Sequence, residues 1–249
     1  MSIDQIPLLT LGLAMLAALA AAFVRGLAGF GMAILLVPLL GLVIAPAEAV
    51  VISNMLGLLV GIASIRVIRG AGELSTALPI GLLAVLLTPV GLLLLAATPP
   101  QLARVLIALV AIGAFAIVMF PVKPGRAPGR LLTGATGVAA GLLTGFAGMP
   151  GPPIVPYYLR RAVAPATARA SMMSVFLMTS IASTASALLL GLGGRREALI
   201  AGALLPSVLL GNWLGGRAFG RVGAAAWRGF VGVMLALAGL MALSRLLLQ

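Results

Sequence analysis

Long apolar runs, interrupted by short clusters of glycine, proline and arginine, fill the chain from end to end. The runs predict five helical segments in the first half, at residues 5–24, 30–44, 47–65, 74–97 and 101–120. Five more are predicted in the second half, at 131–146, 150–159, 166–190, 198–216 and 224–247. Between the halves lies "PVKPGRAPGR" (residues 121–130), whose prolines, glycines and cations read as a linker. No stretch shows the ten-residue alternation of barrel strands, and none is long and polar enough to form a soluble domain.

Two of the interruptions match. "RGLAGFGMAILLVP" (Arg25 to Pro38) and "TGFAGMPGPPIVP" (Thr144 to Pro156) break the apolar pattern about 119 residues apart. "APAEA" at 45–49 matches "APATA" at 164–168 at the same offset, while Glu73 matches Glu197, Gly91 matches Gly215 and Arg104 matches Arg228 at offset 124. The five-residue growth in offset falls in the third segment of the second half or the loop after it. Matches that keep their order over the whole chain indicate a duplicated unit. The division expected is a first membrane repeat at 1–120, a cytoplasmic linker at 121–130 and a second membrane repeat at 131–249, forming one pseudo-symmetric transport domain.

Charge decides how the repeats are oriented. If each glycine break is a turn, each half has an odd number of crossings and the second half is upside down. One side then carries Arg25, Arg66, Arg69, Lys123, Arg126, Arg130, Arg160, Arg161, Arg169, Arg217, Arg221 and Arg228, and the other only Arg104, Arg195, Arg196 and Arg245. If each break is a mere kink, the cations divide almost evenly. Cytoplasmic loops concentrate Lys and Arg, so the turn is preferred, with inverted repeats and both termini outside. Segment 150–159 would rise only about 15 Å, half the hydrocarbon core, so a short tilted span and a re-entrant half-helix remain alternatives.

Composition sharpens the class. Hydrophobic residues make up 62% of the chain, charged ones 8%, and the mean hydropathy is +1.25. Soluble domains carry about a quarter charged residues, so the chain is expected to be an all-α integral membrane protein. The first 25 residues lack the positive n-region of a cleaved signal, since Asp4 is their only charge before Arg25. The net charge of +12 reads as cytoplasmic anchoring, with no nucleic-acid partner expected. Without Cys or His the chain has no disulfide, thiolate metal site, haem His ligand or Cys/His nucleophile. Its acids are Asp4, Glu48, Glu73 and Glu197, none central in an apolar run. That argues against a cation pump, a magnesium-dependent pyrophosphate enzyme or an intramembrane protease. No enzyme activity, metal or cofactor is expected. Glu48 is expected to stabilise the helix start near Pro46, with proton coupling the less favoured role.

The breaks themselves suggest chemistry. Gly26, Gly29 and Gly31 in the first half, and Gly145, Gly148 and Gly151 in the second, free the backbone to turn and approach a ligand. A helix starting after such a turn presents unpaired N–H groups and the positive end of its dipole, an anion site made of backbone. Paired interrupted helices in inverted repeats are the pattern of secondary transporters; tight helix packing is the alternative for any single glycine. Pro38 and Pro156 are expected to end or kink the returning helices. Ser53 and Asn54, and Ser171 and Ser174, lie early in the helices that follow the breaks, and their donors suit an oxyanion. Asn54 has helix bridging as its second reading. Most of Ser180, Ser183, Thr184 and Ser186 are expected to bond carbonyls four residues back. Arg25 and Arg169 are the cations nearest the motifs and read as interfacial anchors that could also attract an anion.

The G-x-x-G-x-G break followed by V-P-L, its echo "GFAGMPGPPIVPYYL" and the A-P-A start of the next helix resemble the TauE/SafE family of bacterial permeases, the sulfite exporters or toluene sulfonate uptake group. The resemblance covers nearly the whole chain and implies transport of small sulfur-containing anions across the inner membrane. Ala28, Phe30, Met149 and Pro150 stand where the family carries denser glycine; these bulkier residues could narrow the cavity or shift the preferred substrate, which leaves the particular anion open. The expectation is a secondary transporter, leaning to export, that binds a small anion between its repeats and contacts membrane lipid; a homodimer is left open. A passive anion channel and a non-transporting membrane scaffold are the rival readings.

Overall fold

Residues 8–119, 128–161 and 163–219 are described by the computed structural model. Segment 224–247, most of the linker, and Asp4, Lys123, Arg126, Arg221, Arg228 and Arg245 lie outside the described residues, as does the pairing of Arg104 with Arg228.

Among the described residues the chain forms ten helices and no strand: α1 (Leu8–Ala28), α2 (Met32–Gly41), α3 (Pro46–Ala63), α4 (Ile65–Ala71), α5 (Leu74–Ala97), α6 (Pro100–Met119), α7 (Arg130–Ala147), α8 (Gly151–Arg160), α9 (Pro165–Leu189) and α10 (Arg195–Ala218). Proline opens α3, α6 and α9, where its missing N–H would be unpaired anyway. Nine helices fall on the predicted segments within a few residues. The tenth, α4, occupies residues expected to be loop, because the chain breaks at Ser64 and resumes helix for seven residues carrying Arg66 and Arg69. The additional residues of the second half are taken up around the 190–194 loop that follows α9. Pro38 and Pro156 do not end their helices; α2 continues to Gly41 and α8 to Arg160.

Five helices are long and apolar enough to cross a membrane, through Leu11–Ala28, Pro46–Ala63, Leu74–Ala97, Pro165–Leu189 and Arg195–Ala218. Large apolar side chains such as Leu82, Leu86 and Leu93 on α5, and Leu109 and Ile112 on α6, are exposed. Outward leucines of this kind suit lipid as the surrounding solvent. The chain is a multi-pass membrane protein. Ten-residue α2 and α8 each rise about 15 Å, half the hydrocarbon core.

Packing exchanges equivalent helices between the halves. The two most extensive pairings are α5 with α7 and α1 with α10, the fourth segment of one half against the first of the other. Each rests on a glycine pair. A methyl at Gly91 would stand 3.1 Å from Gly145 Cα, and one at Gly215 would stand 3.0 Å from Gly26 C. Only glycine lets two backbones approach this closely, and lipid supplies no hydrophobic drive to replace the dispersion contacts so gained. Helices α3 and α9 cross antiparallel at the centre. Gly57 meets Ser180 and Gly61 meets Leu177, and Val51 meets Gly193 just past the end of α9, so numbers rise along one helix as they fall along the other.

Candidate functional site

Both chain breaks turn on positive-φ glycines. Gly29 (φ 85°) and Gly31 (φ 98°) separate α1 from α2, and Gly148 (φ 70°) ends α7. An L side chain is strained in this region of backbone space, so the turns require glycine. Between the two turns and the α3–α9 crossing lies a cavity of about 40 Å³, bordered by Arg25, Gly31, Ser53, Asn54, Gly148 and Gly151 among the predicted residues. A water needs roughly 10–15 Å³ of such space, so the cavity takes an ion of a few heavy atoms.

The first half supplies most of the cavity's positive charge. Arg25 is 4% exposed, and its Nε and Nη2 have no hydrogen-bond partner among the described residues. Helix α2 follows Gly31, which offers it no side-chain cap, and its opening residues Met32, Ala33 and Ile34 line the cavity. Ser53 Oγ, also buried, has no partner. A buried guanidinium without an anion carries a desolvation penalty of several kcal/mol, and among the described residues no Asp or Glu borders this cavity. The arrangement can hold a compact oxyanion, with the Arg25 fork and the α2 dipole both favouring negative charge.

The second break is weaker. Helix α8 begins Gly151-Pro152-Pro153, and the two prolines have no N–H to offer. Of the first three residues only Gly151 carries an amide hydrogen. The position equivalent to Arg25 is Thr144, whose Oγ1 donates to Ala140 O at 2.6 Å.

Other predicted residues have structural work. Gly26 and Gly145 do not line the cavity; they are the crossing glycines of α1–α10 and α7–α5. Gly29 gives passage to Arg169, whose Cγ would lie 2.5 Å from a methyl there. Arg169 donates through Nη2 to Gly26 O at the last turn of α1 and stacks 4.6 Å from the Phe219 ring. It thus caps a helix C-terminus of the other half, where a cation is favoured. Ser171 Oγ accepts the Glu73 N–H at 2.8 Å and so closes the start of α5. Ser174 Oγ donates to Ala170 O at 2.9 Å.

Asn54 does border the cavity, but its Nδ2 donates to Val50 O (3.0 Å) and Thr144 O (3.4 Å), which ties α3 to α7. Its helix-bridging reading is therefore the one the hydrogen bonds support. Phe30 and Met149, the bulky residues at the breaks, also line the space, as do Ser180 and two residues that the sequence reasoning did not select, Gly57 and Phe176. Ser180 faces the cavity against Gly57, and the hydroxyls of Ser183 and Thr184 make none of the expected bonds to carbonyls four residues back. Gly57 and Phe176 share the 119-residue offset, which was the signal available for finding them.

Two ion pairs join the halves at opposite ends of the α3–α9 crossing. Glu73 accepts from Arg161 Nη2 at 2.8 Å beside the start of α9, and Glu48 pairs with Arg196 beyond its end. Glu48 also lies in the first turn of α3, where an acid is favoured. Tyr158 Oη lies 3.2 Å from Thr76 Oγ1 next to the first pair.

A small, arginine-bearing cavity at two glycine breaks, with no acid among its described lining residues, suits a small anion. The family described as Sulfite exporter TauE/SafE matches residues 14–242, and the chain belongs to it. Its members are membrane transporters of sulfite or related anions, not enzymes. No curated protein and no solved structure matches the chain.

Proposed function

We propose that the protein is a secondary transporter, in the export direction, of small sulfur oxyanions such as sulfite or compact organosulfonates. The observation that carries this reading is Arg25, buried at the first break and bordering the cavity, with two guanidinium nitrogens that have no partner among the described residues. The substrate sits against Arg25, Ser53 and the start of α2, with Gly148 and Gly151 closing the opposite wall.

Alternating access between inverted repeats is the proposed mechanism. The exchange of α1 and α5 between halves and the antiparallel α3–α9 crossing support an inverted relation. The half-core length of α2 and α8 supports return segments that stop short of the far face. Arg66, Arg69, Arg160, Arg161 and Arg169 are assigned to the cytoplasmic side of the inner membrane, and Arg104, Arg195 and Arg196 to the periplasmic side. Glu73–Arg161 then closes the cytoplasmic route and Glu48–Arg196 the periplasmic one, and opening either end separates one pair. Cations gathered at the inner mouth raise the local anion concentration there.

Flux of sulfite into proteoliposomes is the test. Saturable uptake, accelerated by sulfite preloaded on the far side, is expected of a carrier. Flux that rises linearly with concentration and ignores preloading would make it a channel, and flux equal to empty vesicles for every small anion would refute transport.

A further inference from the structure

The cavity is small because the two halves fill it unequally. Phe30 and Met149 occupy equivalent positions of the two breaks, at offset 119, and both line it. Gly57 and Phe176 occupy equivalent positions on α3 and α9, and both line it too. Three of these four symmetry-related positions therefore carry a large side chain, and only one is open. Phe176 is 5% exposed, Phe30 9% and Met149 1%, so they are packed in place. Some 40 Å³ remains, about three water-sized groups by the 10–15 Å³ that one water needs. An SO3 head group placed against Arg25 would use most of that space.

We infer that Phe176, with Phe30 and Met149, sets the upper size of the substrate, so that the site takes oxyanions with nothing larger than a methyl group on the central atom. The inference rests on the transport reading above and narrows it from sulfur oxyanions in general to sulfite-sized ones. The physical basis is asymmetric. A side chain too large for a close-packed wall forces its neighbours off their rotamers, whereas one too small merely loses contacts. Phe176 is the strongest of the three determinants because its counterpart is glycine: the same crossing is already built once with no side chain at all.

The experiment compares sulfite, methanesulfonate, ethanesulfonate and benzenesulfonate in proteoliposomes and, separately, as stabilisers of the detergent-solubilised protein. In the unaltered protein, ethanesulfonate and benzenesulfonate are expected to move at under a tenth of the sulfite rate and to give no thermal stabilisation where sulfite does. In Phe176→Ala, and less so in Phe30→Ala, the ratio of ethanesulfonate to sulfite flux is expected to rise at least tenfold, through KM. Comparable flux and stabilisation by all four anions in the unaltered protein would overturn the inference while leaving transport standing. An unchanged ratio in folded Phe176→Ala and Phe30→Ala proteins would overturn it as well. Absence of flux and stabilisation for every anion would instead refute the transport reading on which it rests. The stabilisation series needs no variant, so a misfolded variant does not protect the inference.

Discussion

Replacing Arg25 by Gln changes two quantities in opposite directions, and the structure fixes both signs. In the unliganded protein Arg25 is a buried cation whose Nε and Nη2 have no partner among the described residues, and its uncompensated charge costs several kcal/mol. Gln removes that charge, so the empty variant should unfold at a higher temperature than the unaltered protein. Bound oxyanion, by contrast, loses two charge-assisted hydrogen bonds of roughly 1.5–3 kcal/mol each. A loss of about 3 kcal/mol lowers affinity roughly 100-fold. At a sulfite concentration 100-fold above the original Kd, ligand stabilisation should fall from about 2.7 to about 0.4 kcal/mol. Arg25→Lys keeps the charge but not the fork, and should fall between them. The assay is thermal unfolding in detergent with and without sulfite, beside flux in proteoliposomes. An Arg25→Gln protein that is less stable when empty, yet keeps its sulfite stabilisation within threefold, would refute the site.

Two further predictions separate packing from gating. Gly145→Ala places a methyl 2.7 Å from the Gly91 carbonyl carbon and should cost 1–3 kcal/mol or more, seen as aggregation during size-exclusion chromatography, whereas the nearest atom to a Gly151→Ala methyl is Val155 Cγ2 at 4.0 Å and that variant should remain monodisperse. Since the chain has no cysteine of its own, the pairs Glu73→Cys with Arg161→Cys and Glu48→Cys with Arg196→Cys can be bridged by a short reducible crosslinker; either bridge should abolish sulfite flux until reductant is added, and undiminished flux through both bridged proteins would exclude the ion pairs as gates.

Most of the helical architecture was legible because lipid imposes a simple rule: an apolar run must be helical to satisfy its own backbone. Breakers then marked the ends, and the 119-residue echo marked the turns. Helix α4 was missed because Arg66, Arg69 and Gly70 look like loop residues, while in the structure they prolong α3 past a single break at Ser64. The glycines divided less legibly. Gly26 and Gly31 lie five residues apart in one motif, yet the first lets α10 approach and the second takes positive φ at the start of α2. Sequence held a clue in the other matched pair, Gly91 and Gly215, which are the partners of Gly145 and Gly26. Ser171 was placed in the site because its neighbourhood matched the region of Ser53; its actual partner, the Glu73 amide, lies 98 residues away in the chain and no local pattern announces it.

Duplication explains the scaffold but not the site. The glycine crossings need both halves, because each α1-type helix is held by an α5-type helix of the other repeat, so selection for packing keeps the two copies alike. Charge acts the other way. A symmetric cavity would have a second guanidinium at position 144, and two unpartnered cations facing 40 Å³ would double the desolvation penalty and add their mutual repulsion. Thr144 avoids this by bonding Ala140 O, and Pro152 and Pro153 remove the amides that would have strengthened a second helix-end site. A single compact anion then matches the single cation. The same asymmetry appears in the wall, where Phe176 fills the place that Gly57 leaves open. Departures from the repeat, rather than its conserved pattern, are therefore where specificity in this chain is to be sought.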